Sequence, residues 1–566
     1  MASRSYVCDS CHYCNYFGKK EYLCNPTHID ACLPCLKLFE LEEKIKETRK
    51  MLVELANERQ QLKIRANHNH DRIIHHLPLD VAGEIFMQCM PEDVESICLD
   101  NASRYTLSAP FVLSAVCKQW RTMAHSTPQL WKALPLCGGE DSEDQEYPPF
   151  PAAAVVENWI ERAGNYPLSI NLCVLHGTSD SINIAFPEIK EPTLLMKIIG
   201  ILNRHSDRWV HLKYKGPSYL LSYMPDDTYV LAQLRQLHIW VSRGFTEHSV
   251  RQHNPCPTTL DLRPVGLKTL SIMHLAVEMD NLKLQHLTEL VLGTTSLSEC
   301  FEALQNCPNI TRCTFRRPAR RSYHHIAPSS TIVHHNLQYL EITGSFLYRE
   351  VIRYLSCPSL KTLAVSPSIM PGGMPLITEF LERSRCSLES FYFKKVTLSD
   401  ADIDLLCQAM PTLQHLHVEL FNALSTQTAR NLFKRLAEFL SVDEGKEPRY
   451  LPFLRKFILG EDCQDDVSHW KLLPEIFGTL SPTPGSYLVE QHRHMLEFVS
   501  VSVSSNLAQK PKSQIYETLG RDTLERILNL EDDDIGWQLT YGGDGEDIID
   551  GAMEWYREKD LKKNVE

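Results

Sequence analysis

The chain has 566 residues, 43% of them hydrophobic and 23% charged, which excludes fibrous, collagen-like and largely disordered classes. Lys and Arg number 58 against 71 Asp and Glu, and the resulting charge of −13 repels polyphosphate and anionic lipid, so neither nucleic acid nor a membrane surface is an expected partner. No run of 18 apolar residues occurs and residues 1–8 hold no apolar signal core, so an intracellular protein of the cytoplasm or nucleus is expected, its 19 cysteines reduced or metal-bound.

Residues 1–36 are rich in cysteine: Cys8, Cys11, Cys14, Cys24, Cys32 and Cys35. Cys11 and Cys14, followed by Cys32 and Cys35, have the paired C-x2-C spacing of a tetrahedral zinc site, because each turn presents two thiolates to one ion. Cys8 with Cys11 fits nearly as well, and Cys24 or His28 can replace a member. So short a segment builds little core, whereas a structural zinc supplies on the order of 10 kcal/mol of folding free energy. Structural zinc is the one cofactor expected. A nucleophilic cysteine among these thiols is the competing reading, and a merely cysteine-rich tail the plainest.

Over residues 37–66 the positions Leu38, Leu41, Ile45, Thr48, Leu52, Leu55, Arg59 and Leu62 alternate three and four apart, with no Gly or Pro between them. A short coiled-coil helix follows, and two readings stand: a coiled-coil partner in trans, or a helix folded back on its own chain. The histidines at 68, 70, 75 and 76 read as a polar connector, since no metal-ligand spacing relates them.

Residues 72–135 predict a compact bundle of short helices. Leu77, Val81 and Ile85 lie four apart behind Pro78, a residue tolerated in a helix's first turn, and a second stripe runs through Leu113, Val116, Cys117, Trp120 and Ala124. Ser126-Thr127-Pro128-Gln129-Leu130-Trp131 then breaks the helix and returns two apolar side chains. These phrases, with Lys118-Gln119 and Arg121 beside Trp120, resemble an F-box, and most resemble the large fungal group of F-box proteins. Trp159 to Gly164 with Pro167 to Ile170 is similar to the stretch that such proteins carry next. Between Phe86 and Leu113 the chain is longer than a minimal F-box, so the middle helix is the part that departs from the pattern.

The resemblance implies docking on the Skp-type linker subunit of a cullin-scaffolded ubiquitin ligase. Leu77, Pro78 and Leu79 would make the contact, and Ile85, Val116, Trp120, Leu130 and Trp131 are the further candidate partner-binding residues.

Residues 136–153 carry five acids and three prolines between 140 and 151 and read as a linker. Over 154–485 a pattern of three apolar positions, spaced three and then two apart, recurs ten times, from Trp209/Leu212/Tyr214 through Leu234/Leu237/Ile239 to Leu454/Phe457/Leu459. Successive units start 20 to 33 residues apart, with one final step of 41, close to the roughly 20–29 of leucine-rich repeats. Each unit supplies a short strand, and stretches such as 196–203, 299–305, 351–355 and 405–410 supply returning helices. The predicted fold class is α/β: a leucine-rich-repeat solenoid of parallel strands and helices behind the all-α F-box bundle, the coiled-coil helix and the Cys-rich segment.

Outward side chains such as Arg235, Gln236, His238, Gln338 and Glu341 would line a surface for a target protein. Arg316, Arg317, Arg320 and Arg321, beside Arg312, are candidates for gripping an acidic or phosphorylated segment; a solvated loop or a localisation signal accounts for them equally. Residues 486–566, with alternating strands at Val499 to Val503 and Trp537 to Tyr541, would cap the solenoid and end in an acidic tail.

No P-loop, GxSxG, GxGxxG or HExxH motif is present. The expected function is a non-catalytic adaptor that holds an unidentified target near a ubiquitin ligase. The alternative is a repeat scaffold attached to no ligase.

Overall fold

The computed structural model describes residues 33–70, 78–90, 109–139, 150–175, 194–224, 231–241, 266–275, 284–293, 297–316, 328, 330–366, 373–421, 425–442, 445–461, 467–477, 496–503, 511–531, 535–541 and 547–563. These fall into two compact units, which part between Leu130 and Trp131.

The first unit is all helical: α1 (Leu33–His70), α2 (Leu79–Gln88), α3 (Ala109–Val116) and α4 (Lys118–His125), then a 3-10 turn at Pro128–Trp131. Pro78 precedes α2, where its missing N–H costs no helical hydrogen bond. Ala82, Gly83 and Phe86 form its buried face, with the Phe86 ring 5.0 Å from that of Trp120 on α4. The continuous stripe expected from Leu113 to Ala124 is broken. Cys117 is extended at φ −157° and ψ 174°, and its Sγ accepts a hydrogen bond from the Trp120 amide at 3.4 Å, so the thiol caps a new helix. Nε of Arg121 donates to the Ser114 carbonyl across the break at 2.9 Å. Leu113 stays buried while Val116 turns outward.

The second unit is α/β. It comprises β1 (Ala133–Gly139), α5 (Ala153–Arg162), β2 (Leu168–Leu175), α6 (Leu194–Asn203), β3 (Trp209–Gly216), β4 (Gln236–Val241), β5 (Thr269–Met273), β6 (Glu289–Gly293), α7 (Leu297–Asn306), β7 (Arg312–Arg316), β8 (Ile332–Val333) and β9 (Tyr339–Thr343). There follow α8 (Ser345–Tyr354), β10 (Leu355–Ser356), β11 (Thr362–Ser366), α9 (Met374–Ser384), β12 (Ser390–Val396), α10 (Asp400–Ala409), β13 (His415–Leu420), α11 (Ser425–Leu436), β14 (Phe439–Val442), β15 (Gly445–Pro448) and β16 (Lys456–Glu461). The unit ends with β17 (Phe498–Val503), α12 (Lys512–Leu519), α13 (Arg521–Glu531), β18 (Gly536–Tyr541) and α14 (Ile548–Lys563). Fourteen strands make one parallel sheet in chain order, with β8/β10 and β14/β15 paired apart from it.

Stacking follows from the repeat. Leu237, Leu270, Leu290, Cys313, Leu340, Leu363, Phe391, Leu416 and Phe457 stand in register on neighbouring strands, and residues two further on, from Ile239 to Leu459, form a second ladder. Both ladders are buried, as are Leu234, Leu267, Leu287, Leu337 and Leu360, the leading apolar positions of their units. One strand and one helix cannot cover such a face, so each repeat is stabilised by its neighbours. At the strand entrances the amides of Lys268, Thr288, Thr311, Gln338, Lys361, Glu389, Gln414, Arg455 and Glu497 each donate to the equivalent carbonyl one repeat back, at 2.7–2.9 Å. Local chemistry starts the returning helices: Ser399 and Asp402 form a reciprocal capping box on α10, and Gly344, at φ 112°, enters α8 in a conformation that a side chain would strain.

The sheet is longer than the repeat pattern indicated at both ends. β1 occupies 133–139, so the linker expected over 136–153 begins as a paired strand, and the bundle expected to reach 135 ends at Leu130. Trp131 belongs to the sheet unit: its carbonyl accepts from Nε1 of Trp159 at 2.7 Å, and Arg162 lies 4.7 Å over its ring. At the other end β17 and β18 continue the same ladders through Val499/Val501 and Trp537/Leu539. Among the described residues no helix is long and apolar enough to cross a membrane.

Candidate functional site

In the helical unit the apolar side chains divide into two sets. Phe86, Leu113, Met123 and Ala124 form its core. Leu79 is 67% exposed, and Val81, Ile85, Phe111, Val112 and Val116 are also exposed, with Pro78 before them. A helix with apolar residues on both faces needs two covers, and the bundle supplies one. Leaving large apolar groups in water forgoes about 1.5–3 kcal/mol for each that a partner would bury.

Pro78, Leu79, Ile85 and Val116 therefore stand on the surface, and Trp120 is half-buried against Phe86. Leu77 lies outside the described residues. Leu130 and Trp131, expected among the partner contacts, are fully buried, and their role is packing. Phe111 and Val112 lie outside the stripe expected from the sequence; the apolar composition of 109–116, broken only by Ser114, was the available signal.

The outward face of the sheet is polar and internally linked. Arg312 stacks 4.1 Å over the Tyr339 ring and lies 3.8 Å from Glu289. Arg316 is 3.7 Å from Glu341, whose carboxylate also accepts from the hydroxyls of Tyr339, at 3.1 Å, and Thr314, at 3.5 Å. Burial first, and then the Glu341 carboxylate, push the Tyr339 phenol up to about 12. Further along, Glu419 lies 3.3 Å from Lys394 and 3.4 Å from His417, whose ring is 5.7 Å from Tyr392. The hydrogen bond from His417, helped by the charge of Lys394, holds the Glu419 carboxyl below the usual carboxylate range against the opposing effect of burial.

Exposed pairs of this kind contribute about 0–1 kcal/mol each, so their main effect is to hold the side chains in place across strands. Arg316 is thus engaged by its own chain while remaining partly exposed. Arg317, Arg320 and Arg321 lie outside the described residues, as do Cys11, Cys14 and Cys32. Arg235, expected to face a target, donates from Nη1 to the Gly266 carbonyl at 2.9 Å. Trp240, 5.8 Å from Lys215, adds an exposed ring to the same face.

Of the four candidate zinc ligands only Cys35 is described, and it is 3% exposed in the first turn of a helix whose side chains beyond it are mostly exposed. In the sheet unit burial pushes the Cys307 and Cys407 thiols up to about 12, and burial with the neighbouring Cys300, Cys307 and Cys357 raises the Cys313 thiol well above its ordinary range. No model of a known protein family matches this chain, and no curated protein does.

Proposed function

We propose that the protein is a substrate-recognition adaptor of an SCF-type ubiquitin ligase. The helical unit is read as an F-box that docks on a Skp-type linker subunit carried by a cullin scaffold, and the sheet unit as a leucine-rich-repeat solenoid that holds the target protein. The observation that carries the reading is the apolar strip of Pro78, Leu79, Val81 and Ile85, exposed among the described residues on a bundle that already has a core of its own. The repeating ladders and the polar outward face support the second half. Mechanistically the chain makes and breaks no bond; it raises the effective concentration of a target lysine near the charged conjugating enzyme. The paired cysteines of the first 36 residues would hold a structural zinc, a claim that metal analysis of the purified chain checks.

Capture of the full chain by a purified Skp-type subunit tests the main reading. The Pro78→Ala, Leu79→Ala double variant is expected to weaken capture about thirtyfold or more, the consequence of removing an anchor of about 2 kcal/mol. Circular dichroism should stay unchanged, because both side chains are exposed. Absence of capture by the unaltered chain would leave the scaffold with no ligase attachment, a reading that the exposed seam of helix α1 also suits.

A further inference from the structure

Among the described residues, the longest helix, α1, meets no cover beyond its first two turns. Every described side chain of α1 from Glu40 to Ala66 is exposed. Polar contacts along it stay within the helix: Lys46 meets Glu43 at 3.2 Å, and the Thr48 hydroxyl donates to the Lys44 carbonyl at 2.7 Å. Leu41, Ile45, Leu52, Leu55 and Leu62 are between 49% and 67% exposed, and all five fall on one heptad seam. With 38 residues at about 1.5 Å each, the seam is long enough for several layers of knobs-into-holes packing.

We propose that α1 pairs with α1 of a second copy of this chain as a parallel, in-register, two-stranded coiled coil. The charges flanking the seam carry the choice of partner and direction. With Leu38, Ile45, Leu52 and Arg59 at a, and Leu41, Thr48, Leu55 and Leu62 at d, the g positions are Lys37, Lys44, Met51 and Glu58 and the e positions are Glu42, Arg49, Ala56 and Lys63. In a parallel pair each g side chain meets the e side chain five residues further on in the other copy. Lys37 then meets Glu42, Glu58 meets Lys63, Met51 covers Ala56, and only Lys44 meets a like charge, Arg49. Symmetry doubles each contact, so attraction outweighs repulsion two to one.

An antiparallel pair that overlays the same core positions brings g against g and e against e. Lys44 then gains Glu58, but Lys37 opposes Arg65 and Arg49 opposes itself, so repulsion prevails. The flanks are therefore complementary to a second copy in one direction only.

Strand number follows from the core. Ile45 at a with Leu41, Leu55 and Leu62 at d favours two strands. Arg59 at a sits beside Glu58 of the other copy, and its long stem lets the guanidinium reach water from a two-stranded seam; a three- or four-stranded core would enclose it. The pairing is independent of ligase attachment, and it would give each assembly two recognition sheets for one target.

The test is light scattering of the purified full chain at micromolar concentration, where a mass of twice 64.9 kDa is expected. Leu52→Glu with Leu55→Glu should return the mass to one chain while thermal unfolding of the sheet unit stays unchanged. Lys44→Glu removes the one repulsive flank of the parallel pair and should tighten dimerisation about three- to tenfold. A one-chain mass for the unaltered protein, a mass of three or more chains, or a dimer that survives the double variant overturns the proposal. Unchanged or weaker dimerisation on Lys44→Glu overturns the parallel direction, because in an antiparallel pair that change turns the contact with Glu58 repulsive.

Discussion

Helix α1 and the parallel sheet both announce themselves by regularly spaced apolar residues, yet among the described residues the first is exposed and the second covered. In the sheet Leu340 finds Leu363 on the next strand and Cys313 on the previous one, and all three are fully buried. On α1 Leu52 and Leu55 are spaced as regularly and stand in water. Periodicity reports that a face exists; whether the same chain supplies the cover depends on repetition. A unit that recurs every two or three dozen residues brings its own neighbour, and a single helix does not. Helix α2 combines both cases, with Phe86 inside the bundle and Val81 and Ile85 outside it.

The contrast can be broken most directly at a ladder position. Phe391, fully buried and 5.3 Å from Phe393, should cost about 3–5 kcal/mol when changed to Ala, read as a lowered denaturation midpoint of the sheet unit. The paired Pro78→Ala and Leu79→Ala change should leave that midpoint in place while costing about 2 kcal/mol in capture by a Skp-type subunit, so that stability and binding separate. Leu52→Ala should change the sheet unit's stability by less than about 0.5 kcal/mol; a larger change would mean that the sheet unit, rather than a second copy, takes up this face of α1.

The smallest effect concerns pH. The folded Glu419 carboxyl lies below its unfolded value, so its contribution is complete above the ordinary glutamate range and is lost as pH falls through the lower folded value. Glu419→Gln should therefore flatten the acid side of a stability profile measured by denaturant titration. A profile that keeps its slope would remove the His417 and Lys394 contacts as the cause.

Much of the sheet was legible beforehand because strands have a strict period of two and the repeat puts the same residue types at each layer; all ten units lie on ladders in the structure. β1 was not legible. Leu134 and Leu136 alternate correctly, but they follow a helical motif and precede an acidic stretch, and the pairing with Ile170 and Leu172 appears only in three dimensions. The candidate interaction surface was half legible: a proline and leucine at a helix start suggested exposure, whereas nothing local distinguished Val116, which is outside, from Leu130 and Trp131, which are inside. That difference arises at Cys117, where one extended residue rotates the following helix away from the stripe.

By itself the sequence determined the ladder residues, the seam of α1 and the charges beside it, because these depend on spacing along one chain. Tertiary structure alone decided which apolar faces are covered, where the helical unit stops and the sheet begins, and that Arg312 and Arg316 are already held by Tyr339, Glu289 and Glu341. Covering a face requires a second surface within a few ångströms, and the distance between surfaces is a property of the folded chain rather than of residue order.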